Sequence, residues 1–456
     1  MPYERPRSAA PKGALPPARR ERSPRLKARL RGLGRVQRRA RLGPGRAQRE
    51  GAPVSGLDIA ILGQVALGYS PFVDRQRAVT ATRLTIFPLR SDTAIDAGQL
   101  LHAVGGVWPA NGSRVSLNVA SESLLGDLLK AQPSPNVMLE VPAFMACDPA
   151  NSEGIVALHG NGNTLLLKGR PLTELPRDVL PCFRYSIIDL ADDRRVGDRA
   201  AAPAGVVRRI ASVYSGVDSL TDMRTAFERG AEAVLGWPMA DAVEAGAKGG
   251  KPAARSDLQV ITELIHRVNG EEPIDRLELT LRRDPSLAFK LLRYINSPAF
   301  GLRVEISSFR HAIMMLGYQR LRRWLALLLA TASKDADTRP AMFAAVRRGL
   351  LMEELVRGSG DEEMRNEMFI CGVFSLLDRM FQQPLAELMH TLPVPPRVHQ
   401  ALVEGSGPYA PFLDLVRAIE SASLSDFRSA ADALMMSVAE INRAQLRALA
   451  AAVELD

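Results

Sequence analysis

The chain has 456 residues, 46% hydrophobic and 24% charged, with a formal net charge of +9. That composition is globular, and the length exceeds what one core usually fills, so two domains are expected. No apolar run reaches the roughly 18 residues of a spanning helix, and the Arg-dense start lacks the apolar stretch of a secretory signal, so the expected location is cytoplasmic.

The charge is unevenly placed. Residues 1–50 carry 16 Lys and Arg against 3 Glu, a local +13, leaving 43 against 47 for the rest, or −4. Residues 1–55 therefore read as a disordered basic tail, rich in Arg, Pro, Ala and Gly with little to bury. Leu26, Leu30, Leu33 and Val36 recur at helical spacing and could lie on an anionic membrane or nucleic acid, though Gly32 and Gly34 weaken that helix. A solvated tail, or a start site set too early, is the plainer reading.

Residues 56–240 show short β-rich runs near 59–64, 79–87, 115–119, 137–141, 164–167, 185–190, 207–213 and 233–235, alternating with connectors. This pattern suggests a βα barrel. Residues 241–256 are rich in Ala, Gly and Lys and read as a flexible linker. Beyond them Leu258, Ile261, Leu264 and Ile265 begin a helical periodicity that continues to the end, so residues 257–456 read as an all-α domain. The fold class is thus α/β plus all-α.

Four stretches, VSLNVASESLL, VMLEVPAFM, YSIIDL and VYSGVDSLTDMRTAFERGAEAVLGWPMA, resemble in order and spacing an EAL domain, the modified TIM-type barrel that hydrolyses cyclic di-GMP. The resemblance implies a two-metal site of carboxylate and carbonyl oxygens at the strand C-terminal ends. Several of those positions are altered. In AVTATRLTIFP, Arg83 or a neighbour stands where a metal-binding Glu belongs, and an Arg offers donors only. Asn118 and Glu140 match the Asn and Glu ligands. In TLLLKGRP, Lys168 and Gly169 replace two aspartates. Asp189 is kept without its Lys partner; Tyr214 and Ser215 replace Ala-Glu, Asp218 replaces a second Glu, and Leu235 takes a Gln position. So altered a set implies no bound metal, no cofactor and no hydrolysis. Arg83 and Lys168 could still meet phosphates, which leaves a cyclic di-GMP receptor, or a phosphodiesterase with unconventional ligands, as alternatives. Asn118, Glu140, Asp189 and Asp218 also suit hydrogen-bonded turns at a barrel mouth.

The stretch LTLRRDPSLAFKLLRYINSPAFGLRVEISSFRHAIMMLGYQRLRRWLALLLA resembles an HDOD domain, a relative of HD-type hydrolases without their metal dyad. Asp284 and Pro285 fit a helix start, Asn296 and Ser297 a helix end, and Gly301 and Gly317 left-handed turns. These are fold signatures rather than a site. The six histidines, including His390 and His399 around TLPVPPRV, lack metal-ligand spacing. The three cysteines, Cys147, Cys182 and Cys371, make neither a disulfide framework nor a metal knuckle. Met314, Met315, Trp324, Met435 and Met436 would offer adaptable apolar surface if exposed, although helical spacing favours the core. EAL-like barrels followed by HDOD domains form a known bacterial architecture. The resemblance implies a signalling protein acting through protein partners, with nucleic acid or membrane contacts confined to the basic tail.

Overall fold

The computed structural model describes residues 60–90, 94–193, 210–241, 252–282, 290–291, 294–296, 306, 309–331, 335–392 and 394–453, so the basic tail lies outside the described residues. Eight strands form one closed barrel in chain order. β1 (Val65–Asp74) runs antiparallel to both β2 (Val79–Pro88) and β8 (Ala233–Leu235). From β2 through β3 (Arg114–Val119), β4 (Val137–Pro142), β5 (Leu165–Lys168), β6 (Phe183–Asp189) and β7 (Ala211–Ser215) to β8 every pairing is parallel. A tight turn joins β1 to β2: the Asp74 carboxylate accepts from the Ala78 amide at 2.8 Å, and Arg77 takes a φ of 63°.

The strand expected at 59–64 is instead a 3-10 turn, Ala60–Gly63, and the first true strand follows it. β1 hides from pattern reading because Gly68 and Pro71 interrupt it and because both its faces are buried, so it does not alternate. The run expected at 207–213 starts later, at Ala211.

Connecting helices cover most of the barrel's outside: α1 (Ala97–Val107), α2 (Glu122–Lys130), α3 (Ala143–Cys147), α4 (Ser152–Gly160) and α5 (Leu220–Glu228). Their starts are chemically marked. Asp96 and Ser121 accept from first-turn amides, and Ser219 with Asp222 forms a reciprocal capping box.

The helical region comprises α6 (Pro252–Asn269), α7 (Ile274–Arg282), α8 (Phe309–Ala330), α9 (Arg339–Leu355), α10 (Glu362–Phe374), α11 (Leu377–Phe381), α12 (Leu385–Thr391), α13 (Pro396–His399), α14 (Ala410–Glu420), α15 (Leu424–Ala433) and α16 (Val438–Val453). α6 begins at Pro252, so the last residues of the expected linker are helical. Gly317 sits at φ 69° and kinks α8, the left-handed position anticipated for it. The Asn296 side chain brackets the Ile306 backbone with two 2.8 Å hydrogen bonds; Asp284, Pro285, Ser297 and Gly301 lie outside the described residues.

The helices and the outer layer of the barrel share one continuous hydrophobic cluster running from Ile61 to Ala452, beside two smaller clusters, one inside the barrel and one under α5. The reason is the missing cover over β1. There the chain's last helices supply the outer layer, so close that a Cβ on Gly68 would meet the Ile419 carbonyl and Ala422 Cα at 3.0 Å. Asn442, fully buried on α16, donates to the Leu62 and Val65 carbonyls at 2.8 and 2.6 Å and accepts from the Leu67 amide at 3.3 Å. Arg348 on α9 forks the Glu420 carboxylate at 2.7–3.1 Å and donates to the Ser375 hydroxyl. The Glu420 carbonyl accepts from Trp237 Nε1 of the barrel at 3.2 Å. At the β1–β2 turn Asp337 receives Arg77 and Arg224 at 2.7 and 2.8 Å. Burial opposes ionisation of Asp337, but those hydrogen bonds outweigh it and hold its carboxyl below the usual range.

Candidate functional site

Alternation along parallel strands turns every second residue into the barrel. Phe72, Ala81, Met138, Leu166, Ile187, Val213 and Leu235 fill its interior as an apolar plug. Arg83 and Thr85 on β2, Ser116 and Asn118 on β3, Glu140 on β4 and Lys168 on β5 share this inward parity and lie nearer the strand C-terminal ends.

These side chains join into one polar cluster. Arg83 forks Glu140, with Nε to Oε1 at 2.8 Å and Nη2 to Oε2 at 2.6 Å. The Ser116 hydroxyl adds a third donor to Oε1 at 3.2 Å. The Glu140 side chain is wholly buried and that of Arg83 only 15% exposed. Lys168 Nζ donates to Asn118 Oδ1 at 2.8 Å, and the Asn118 amide donates to the Thr85 hydroxyl at 3.2 Å. Burial pushes the Lys168 amine below the ordinary lysine range, opposed by the Glu140 charge and reinforced by Arg83.

In the strand register Thr85 pairs with Asn118 while Arg83 pairs with Ser116, one inward layer deeper. So the neighbour, not Arg83, is level with Asn118, and its lone hydroxyl is no carboxylate. Both expected cations instead take up acceptors that a divalent ion would need. A guanidinium occupies both oxygens of Glu140, and an ammonium occupies the carbonyl oxygen of Asn118.

The other expected positions stand apart from this cluster. Asp189 is exposed and closes its own turn, accepting from the Ala191 amide at 3.0 Å and, at the limit, from Ser215 at 3.5 Å. Asp218 is also exposed, and its backbone carbonyl receives the amides of Met239 and Ala240. Tyr214 points outward into the layer of α5 and donates to buried Asp193 at 2.7 Å, so it is no part of the site. Thr85 and Ser116 were missed from sequence, although each lies two residues from an identified position and therefore faces the same way.

Among the described residues no group of three or more His, Cys, Asp and Glu is arranged to hold a metal ion. His390 and His399 do meet, with ring centroids 6.3 Å apart, and Glu404 is 3.9 Å from His399. Burial raises the Cys182 thiol and pushes that of Cys371 up to about 12, which leaves both inert as nucleophiles. The core expectation for the methionines fails at Met314, Met315 and Met435, which are exposed, while Trp324 is buried.

An HDOD domain model matches residues 256–386. Of curated proteins, the chain is 31% identical over 163 residues to the uncharacterized protein YuxH of Bacillus subtilis, covering 35% of this chain and 40% of that protein. It is 30% identical over 147 residues to the cyclic di-GMP phosphodiesterase CdgJ of Vibrio cholerae, covering 32% and 34%. The matches thus span well under half the length of these relatives. A cyclic di-GMP complex of Klebsiella pneumoniae BlrP1 with calcium is similar over 39% of this chain and 55% of that one, at 17% identity and a TM-score of 0.30. No helix among the described residues is long and apolar enough to cross a membrane. The chain thus carries a closed eight-stranded barrel followed by a helical region that an HDOD domain model matches at residues 256–386.

Proposed function

We propose that this chain is a regulatory protein of cyclic di-GMP signalling whose barrel does not hydrolyse the nucleotide, and which acts in the cytoplasm through protein partners of its HDOD domain. The observation that supports this reading best is the Arg83–Glu140 fork. A divalent ion needs Glu140 oxygens that already carry two charge-assisted hydrogen bonds, and stripping one partner from a buried pair costs about 3–5 kcal/mol. It would also face the Lys168 ammonium at Asn118. The exposed Leu279 on α7 with Met314 and Met315 on α8 supports a docking role, since methionine adapts to varied apolar partners.

The name of the relative CdgJ favours the competing reading, hydrolysis with unconventional ligands. Incubating the full chain with cyclic di-GMP and Mg²⁺ or Mn²⁺ separates the two. No linear product is expected; turnover that disappears in Glu140→Ala would overturn the proposal. A receptor role is tested by calorimetric titration with the same nucleotide, where micromolar or tighter binding would replace the pure interaction role. Binding of a protein partner should be lost on Met314→Glu, and retention would move the docking surface elsewhere.

A further inference from the structure

Away from the barrel, a cavity of about 320 Å³ opens between α6, α8, α10 and the segment before α13. That volume is at the lower end of the range for small-molecule sites. Its walls are mixed: Ile265, Ala326, Ile370 and Phe374 are apolar, while Asn269, Gln319 and Asn366 bring amides and Arg322, Arg323, Glu363 and Glu367 bring charge.

The charges differ in whether they are already used. Arg323 is bound at 2.7 Å through two nitrogens to Glu353 and stacks 4.1 Å above the Phe369 ring. Glu367 accepts a short hydrogen bond from Tyr409 and has Arg397 at 3.7 Å. Glu363 is exposed at the rim. Among the described residues Arg322 reaches only the Glu271 carboxylate, at 3.5 Å, and that group is 68% exposed. Such a pair contributes little. Arg322 Nε is buried and has no hydrogen-bond partner among the described residues. A buried donor without a partner is costly, while the terminal nitrogens of this side chain, 32% exposed and lining the cavity, fit a carboxylate or phosphate in charge-assisted hydrogen bonds.

We propose that this cavity binds a small organic anion, its carboxylate or phosphate head forked by Arg322 and its apolar body lying on Ile370 and Phe374. The amides of Asn269 and Asn366 serve polar edges of the same ligand. The volume suits a compact metabolite.

The test is calorimetric titration of the full chain with phenylacetate and with phenyl phosphate, beside inorganic phosphate and neutral benzyl alcohol. Saturable binding of at least one aromatic anion is expected, tenfold or more tighter than phosphate or the alcohol, and the tighter anion identifies the head group. Arg322→Gln should weaken it at least tenfold, whereas Arg417→Gln, exposed on α14, should not change it. Ala326→Met, which fills the cavity from its floor, should abolish binding without touching the cation. Circular dichroism confirms that each variant folds. No saturable binding of either anion by the native chain, equal binding by folded Arg322→Gln, or equally tight binding of benzyl alcohol would overturn the proposal.

Discussion

Replacing Asn442 by Ala tests whether barrel and helices form one cooperative structure. The Asn442 side chain is fully buried and makes three hydrogen bonds to the backbone around the start of β1. The substitution strands two carbonyls and an amide where water does not reach. At about 1–3 kcal/mol for each of the three buried groups left unsatisfied, the loss is on the order of 3–9 kcal/mol. Whole proteins are typically stable by about 5–15 kcal/mol, so this is a large fraction. Urea denaturation is the assay, followed by far-ultraviolet circular dichroism and by the fluorescence of Trp108 in the barrel, Trp237 at the junction and Trp324 in the helices. The native chain should show one coincident transition. The variant should shift its midpoint strongly, with the signals separating as the helices release β1. A change below about 1 kcal/mol, or separated transitions already in the native chain, would refute the shared core.

Other expected outcomes follow from the same contacts. Arg83→Met leaves Glu140 buried with an unbalanced charge and should cost about 3–5 kcal/mol, while Arg83→Met combined with Glu140→Leu should recover most of it; denaturation of the three chains reads the difference. Asp337 has a lowered carboxyl pKa in the folded chain, so its ion pairs stabilise above the unfolded value of about 3.9 and are lost as pH falls through the folded value. Below about pH 4 the native chain should therefore lose more stability than Asp337→Asn, measured by thermal melts across pH. Lys168 has a lowered pKa, so the unfolded chain binds the extra proton and stability should rise as pH climbs toward about 10, a slope that Lys168→Met removes. Gly372→Ala places a Cβ 2.5 Å from the Arg348 carbonyl, where α9 and α10 cross, and should cost about 1–3 kcal/mol by the same denaturation measurement.

Much of the barrel was legible because most of the strands from β2 to β8 are short β-rich runs set apart by connectors of different texture. β1 was not, because its outer face is covered by residues more than 300 positions later, and buried strands lose their alternation. The cluster at the mouth was partly legible: Arg83, Asn118, Glu140 and Lys168 do meet, as their inward parity requires. Their pairing was not, since residue identity alone does not reveal that Arg83 takes Glu140 and Lys168 takes Asn118. Asp189 and Asp218 sit in turns instead, the ordinary use of a short polar side chain. The junction left a faint trace in INRAQL, where Asn442 and Gln445 place buried amides on one helix face. Nothing local identifies the backbone they would meet.

The proposed loss of hydrolysis requires that Arg83 and Lys168 hold the acceptors a metal ion would use. Its most direct test is a Mn²⁺ titration of the full chain, read by electron paramagnetic resonance, beside Glu140→Ala. The native chain should take up no stoichiometric Mn²⁺ and should not differ from the variant. One or two equivalents bound by the native chain and lost in Glu140→Ala would contradict it.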